Sequence, residues 1–220
     1  MALRIDPVAA SKPLVFVLAL VPLGLLAWRS WQGALGTDPV AQLEHATGIW
    51  ALRLLLATLC ITPLRNLTGW NKLVRYRRML GLFAFFYASL HLTVYLVVDL
   101  GGFWSQILTE IARKPFITVG FLAWLLLIPL AITSTKGMMR RLGRNWQRLH
   151  RLVYLCAALA ALHFLWQVKY GETIAALEPV VYAGIFLVLM LARVPAWLKR
   201  RSGRGERVRG QPASGRQAAQ

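Results

Sequence analysis

The chain is short of acids and of cysteines, and both shortages narrow what it can be. Only 8 of its 220 residues are Asp or Glu, against 26 Lys and Arg. Asp99, Glu110, Glu172 and Glu178 all fall in loops or at the ends of apolar runs. A span without a central carboxylate argues against a proton-coupled transporter, which relays protons through such groups. The two cysteines, Cys60 and Cys156, stand singly in separate runs, with no CxxC or zinc-ligand spacing. That excludes a thiolate-held cluster and a disulfide framework, and leaves both to pack as small apolar side chains. There is no Ser/His/Asp set, no phosphate-cradling glycine loop and no metalloprotease motif. The loops are too short to hold a soluble nucleotide- or flavin-binding domain. Any chemistry therefore has to come from a bound redox group.

What the chain does have is apolar length. Hydrophobic residues make up 57% of it, and the mean hydropathy is +0.53. Runs of about 20 apolar residues are long enough to cross a bilayer as helices. Six such runs are expected, at 13–31, 47–64, 79–98, 116–134, 150–168 and 178–197. The second is interrupted by Arg53 and is expected to close at Pro63. The fold expected is all-α, a polytopic six-transmembrane-helix bundle. It divides into an N-terminus at 1–12, a membrane domain at 13–197 and a basic, disordered tail at 198–220. Arg4 and Lys12 ahead of an apolar core resemble a signal peptide, but the core from Leu14 to Trp28 is long and reads better as a retained first helix. No internal repeat is evident.

The net charge of +18 is distributed by side. Segments 1–12, 65–78, 135–151 and 198–220 carry 20 of the Lys and Arg, whereas 32–46, 99–115 and 169–177 carry 3. This is the positive-inside pattern of an inner-membrane protein with both termini in the cytoplasm. The basic runs are read as topology signals and as contacts for anionic membrane lipids, so no nucleic-acid partner is expected. Trp28, Trp31, Trp70, Trp104, Trp146, Trp166 and Trp197 lie near span ends, as interfacial aromatics do.

Ionisable residues inside spans are costly and mark candidate sites. His91 and His163 lie in the third and fifth spans, each about a dozen residues past a basic cluster. At 1.5 Å per residue both rings come to lie about 18–20 Å in from the basic side. The two spans run in the same direction, so equal distance means equal height. Two neutral imidazoles at one depth suit the axial positions of a heme iron, a metal site of His91 and His163. With both axial positions filled, such an iron suits electron transfer better than oxygen binding. The competing reading is a pair of interhelical hydrogen-bond donors.

His150 lies at the basic surface among Arg144, Arg148 and Arg151. It is about 20 Å along the helix from His163, too far to share its iron. It is either a solvated interfacial histidine or part of a second site, a heme or a flavin whose acidic groups Arg148 and Arg151 would hold. His45 stands at the opposite surface as a capping residue or as a contact to a heme propionate, a quinone or a docked partner. Arg53, about two turns into the second span, needs an anion or must snorkel. Its neighbours in sequence, Asp38 and Glu44, are surface acids, and a heme propionate would satisfy it.

Two runs carry a family resemblance. They are Arg77-Arg78-Met79-Leu80-Gly81-Leu82 leading to His91, and Trp146-Gln147-Arg148-Leu149-His150-Arg151-Leu152-Val153-Tyr154 leading to His163. With six spans, they resemble the ferric-reductase-like transmembrane superfamily. The short form, with no attached flavin and nicotinamide domain, looks most like the heme-binding membrane subunit of the bacterial periplasmic protein-methionine-sulfoxide reductase. Glu44-His45-Ala46-Thr47-Gly48 and the apolar run ending Thr62-Pro63-Leu64 resemble that subunit as well. The resemblance covers about residues 40 to 195.

It implies that His91 and His163 hold a heme b, and that His150 matches the position used for a second, cytoplasmic-side heme in larger relatives. Those relatives have a further histidine where Arg77 stands here. The departure leaves His150 either to ligate a second heme with another partner or to help hold a flavin mononucleotide (FMN). The resemblance also implies electrons arriving from a cytoplasmic flavin reductase or from quinol. They would leave for a periplasmic, molybdopterin-containing methionine sulfoxide reductase subunit, the chain itself having no substrate-reducing site. Two alternatives stand beside this. One is a ferric or other metal reductase-type electron carrier; the other is a non-redox transporter or assembly factor.

Overall fold

A computed structural model describes residues 7–167 and 177–194. The described residues form helices and connecting turns, with no strand among them. The helices are α1 (Pro7–Trp31), α2 (Pro39–Thr68), α3 (Arg77–Thr93), α4 (Trp104–Arg113), α5 (Pro115–Ile132), α6 (Lys136–Leu142), α7 (Arg144–Leu149), α8 (Leu152–Gln167) and α9 (Leu177–Leu191). Five stretches are long and apolar enough to cross a membrane: Ala10–Trp31, Pro39–Thr68, Asn71–Asp99, Pro115–Ile132 and Arg144–Gln167. The sixth apolar helix, α9, is shorter at 15 residues. The expected tail at 198–220, most of the loop at 169–177 and Trp197 lie outside the described residues.

Local chemistry accounts for the helix ends. Asp38 caps α2 by accepting from the Ala41 backbone N–H at 3.0 Å, with Pro39 in the first turn. Gly69 ends α2 in the left-handed region at φ 70°. The helix thus runs through Pro63 to Thr68 instead of closing at the proline. Proline costs an interior helix one hydrogen bond, and in an apolar setting the remaining backbone has no better partner than the helix itself. The segments 99–115 and 135–151, expected as loops, contain the short helices α4, α6 and α7. After His91, α3 loosens into a π-helical stretch, Val94–Asp99, before the turn at Gly101 and Gly102.

Two helix pairs make the bundle: α2 packs most extensively on α3, and α5 on α8. Lipid offers no hydrophobic drive for helices to associate, so close van der Waals contact has to hold them. Small buried residues provide it at the centre, with Ala84, Cys156 and Ala157 at most 1% exposed beside Leu55 and Leu59. Polar cross-links add to it. Trp124 Nε1 donates to Ser89 Oγ at 3.0 Å, joining α5 to α3. Tyr87 donates its hydroxyl to the Ala19 carbonyl at 2.8 Å, joining α3 to α1. Outward faces carry exposed Leu, Val and Phe, as on Leu14, Leu25, Val98 and Leu187, which suits lipid as solvent. Both cysteines are free; Cys156 is buried and Cys60 is exposed.

Candidate functional site

Helices α3 and α8 bring His91 and His163 side by side, both half-buried. Their ring centroids are 6.2 Å apart and their planes are inclined at 72°. Each ring is anchored to a different neighbouring helix through Nδ1. The Glu44 carbonyl of α2 lies 2.9 Å from His91 Nδ1, and the Phe116 carbonyl of α5 lies 2.7 Å from His163 Nδ1. A carbonyl only accepts, so each Nδ1 carries the proton and donates. Each Nε2 is then left as a lone-pair donor. Second-shell bonds of this kind are how metal-ligating histidines have their tautomer and orientation set.

The spacing is informative too. A metal–imidazole nitrogen bond is about 2.0 Å, and with about 1 Å from nitrogen to ring centre on each side, one metal between two imidazoles separates the centroids by about 6 Å. The observed pair meets that separation. Among the described residues no three His, Cys, Asp or Glu gather into a metal cluster. A macrocycle that brings its own equatorial ligands needs only the two axial donors present here. The residues therefore fit an iron porphyrin and do not fit a bare metal ion.

Beside this pair lies a polar group that sequence reasoning saw only in pieces. Arg53 Nε donates to the Tyr182 hydroxyl at 2.6 Å, and Arg53 Nη2 lies 3.8 Å from Glu178 Oε1. The Trp50 ring, with its centroid 5.0 Å from the Arg53 guanidinium carbon, adds a cation–π contact. His45 Nε2 is 3.5 Å from Glu178 Oε2, and its ring is 6.1 Å from that of Phe164, next in sequence to His163. The anion expected for Arg53 is thus supplied from within the chain. Glu178 is far away in sequence, so only the packing of α9 on α2 could reveal it.

His150 is placed elsewhere, in the turn between α7 and α8. Its Nε2 lies 3.1 Å from Thr133 Oγ1, and its ring stacks on Trp146 at 4.0 Å. Trp146 Nε1 in turn donates to the Thr133 carbonyl at 2.9 Å. Arg77 is close enough to act on His150 electrostatically, while Arg148 and Arg151 are exposed nearby. The three histidines thus separate into a facing pair at one end and a single ring at the basic end. Residues missed at the sequence level are Thr133, Tyr182 and Arg193. The last donates to the Leu59 carbonyl and lies over the Tyr154 ring, 5.6 Å from its centroid.

Comparison with known proteins narrows the family. The model of the ferric reductase like transmembrane component matches residues 47–161, a stretch that holds His91, His150 and most of α8. The chain is 55% identical to the protein-methionine-sulfoxide reductase heme-binding subunit MsrQ of Xanthomonas axonopodis pv. citri, over 98% of this chain and all of that one. The chain belongs to the MsrQ family. The MsrQ of Xanthomonas campestris pv. campestris is 59% identical, over 88% of this chain and 90% of its own. The more distant MsrQ of Herminiimonas arsenicoxydans keeps 50% identity over 86% and 87%. MsrQ proteins are thus matched along nearly their whole length, and the membership agrees with the multi-pass, all-helical fold.

Proposed function

We propose that the chain is the heme-binding membrane subunit of a protein-methionine-sulfoxide reductase, holding one heme b between His91 and His163 and conducting electrons across the membrane. The observation that carries this is the facing pair of Nδ1-anchored imidazoles at metal-bridging separation. A bound heme supplies reversible one-electron chemistry. The chain's own residues do the rest. The Glu44 and Phe116 carbonyls hold both rings in the tautomer that presents Nε2. The apolar helix walls keep water out and lower the local dielectric. Arg53, held by Tyr182 and Glu178, ties α9 to α2 on the side of the site nearest His45.

The basic end takes the electrons in. His150 has one ring nitrogen engaged by Thr133 and one face covered by Trp146, and Arg77 stands near it. That arrangement favours an anionic, flat carrier, FMN, over a second two-histidine heme. Arg148 and Arg151 are available to its phosphate. A cytoplasmic flavin reductase or quinol is the donor, with both termini on that face of the inner membrane. A periplasmic molybdopterin-containing subunit is the acceptor, and reduces the oxidised methionine.

The deciding experiment is a dithionite-reduced minus oxidised visible spectrum of the detergent-purified chain, beside His91→Ala and His163→Ala. Sharp low-spin b-type bands, lost in either variant, are expected. A colourless wild-type protein from heme-replete cells would overturn the proposal and return the histidines to helix packing.

A further inference from the structure

The two histidines are held by two copies of one device. His91 meets the carbonyl of Glu44, and His163 meets the carbonyl of Phe116; in each case donor and acceptor are 47 residues apart. One helical turn beyond each carbonyl stands a glycine, Gly48 on α2 and Gly120 on α5. A step of 72 residues relates Glu44 to Phe116, Gly48 to Gly120 and His91 to His163. The helix pairs in which this occurs, α2 with α3 and α5 with α8, are the two most extensive in the bundle. The same arrangement thus recurs in the two main helix pairs.

We propose that Gly48 and Gly120 are positioning residues for the two axial ligands: each lets an imidazole lie directly on a neighbouring helix, where the carbonyl one turn earlier sets its tautomer and plane. The proposal rests on the heme reading above. Its physical ground is what a side chain would meet. A Cβ built on Gly120 falls 2.7 Å from His163 Nδ1 and 2.9 Å from its Cε1. No real Cβ sits so close, so the ring would have to shift and strain or lose the Phe116 bond. A Cβ on Gly48 falls 3.1 Å from both Nδ1 and Cε1 of His91. That contact is tight, and a ring displacement of a few tenths of an ångström relieves it.

Small residues between membrane helices commonly serve backbone-to-backbone approach. Here the atoms that a Cβ would strike first are imidazole atoms on both helices. Gly81 provides the contrast within the same bundle. Its Cβ would make only ordinary contact, 3.8 Å from Thr58 Cγ2. The two clamps also differ in tightness. The Thr47 hydroxyl donates to the Leu43 carbonyl at 2.7 Å and lies 3.1 Å from the Glu44 carbonyl and 3.5 Å from His91 Nδ1, so the His91 clamp has a polar neighbour, whereas the Phe116 carbonyl forms the shorter bond to its ring. The His163 side is thus the less forgiving of the two.

The readout is ligand geometry, which a role in folding alone would not move. Axial imidazole planes near perpendicular, as the 72° here would impose, give a ferric low-spin heme a strongly anisotropic electron paramagnetic resonance signal. Planes turned towards parallel give a rhombic one. The test uses the full chain purified in detergent as wild type, Gly120→Ala, Gly48→Ala and Gly81→Ala, with heme content, resonance spectrum and midpoint potential recorded for each. Gly120→Ala is expected to lose heme or shift its signal towards rhombic with a changed potential. Gly48→Ala is expected to show a smaller shift with heme retained, and Gly81→Ala the wild-type signal. Should Gly120→Ala fail to accumulate in membranes, Gly48→Ala decides, since its clash is small enough for the fold to absorb. Wild-type signals and potentials in both Gly120→Ala and Gly48→Ala would overturn the proposal while leaving the heme intact. A wild-type chain without heme would instead overturn the reading beneath it.

Discussion

The same side chain does different work at the two ends of this bundle. At one end His91 and His163 give their Nδ1 protons to backbone carbonyls, and their ring centroids lie 6.2 Å apart. At the other end His150 has Nε2 against a threonine hydroxyl and its face against Trp146. Two imidazoles tied through Nδ1 and set side by side support the ligand role proposed for them. A single ring with Nε2 engaged and one face stacked supports the different role proposed for His150. The difference comes from neighbours on other helices, not from the histidines themselves.

The sharpest way to break that comparison is to remove each histidine in turn. His91→Ala or His163→Ala should abolish the b-type spectrum, because a macrocycle held through a single axial bond in an apolar site loses most of its affinity. His150→Ala should leave those bands intact and instead abolish reduction by a flavin donor, measured as the rate at which the heme band appears. If all three substitutions removed the heme equally, the distinction between the ends would fail. Thr133→Val sharpens it further. Freeing His150 Nε2 should leave the midpoint potential of the heme unchanged while altering flavin affinity, measured by fluorescence titration with FMN.

Smaller effects test the support around the pair. Arg53→Met removes the donor to Tyr182 and leaves Glu178 with His45 as its partner. It should cost roughly 1–2 kcal/mol in stability, read as a lower unfolding midpoint in detergent, with heme content largely kept. Asp38→Ala removes the cap of α2 and should cost about 1 kcal/mol by the same assay. The pair Lys114–Glu110, at 2.9 Å on the α4–α5 junction with its lysine exposed, should matter least. Glu110→Gln is expected to change stability by less than about 0.5 kcal/mol.

Much of the architecture could be read from the residues. Apolar runs of bilayer length, bounded by basic segments on alternate sides, define spans because an unpaired backbone in lipid is too costly for anything but a helix. The common height of His91 and His163 was legible for the same reason: equal helical rise past two basic clusters puts them at one level, and their rings meet. Arg53 was singled out as needing an anion or having to snorkel; Glu178, 3.8 Å from it, lies on a distant helix and no local pattern connects them. The passage of α2 through Pro63 was missed because a proline's local cost is a weak guide where a long helix is held by packing.

The amino-acid sequence by itself determined that the chain is an all-helical, multi-pass membrane protein, how charge divides among its segments, and that two histidines come to one height on two of its helices. These follow from transfer energies and helical rise, which act residue by residue. Only the tertiary structure decided that the two rings face each other, that each donates to a carbonyl on another helix, and that a glycine lies under each. Those depend on how helices rotate about their own axes when packed, and that rotation is set by contacts between residues 43 to 134 positions apart along the chain.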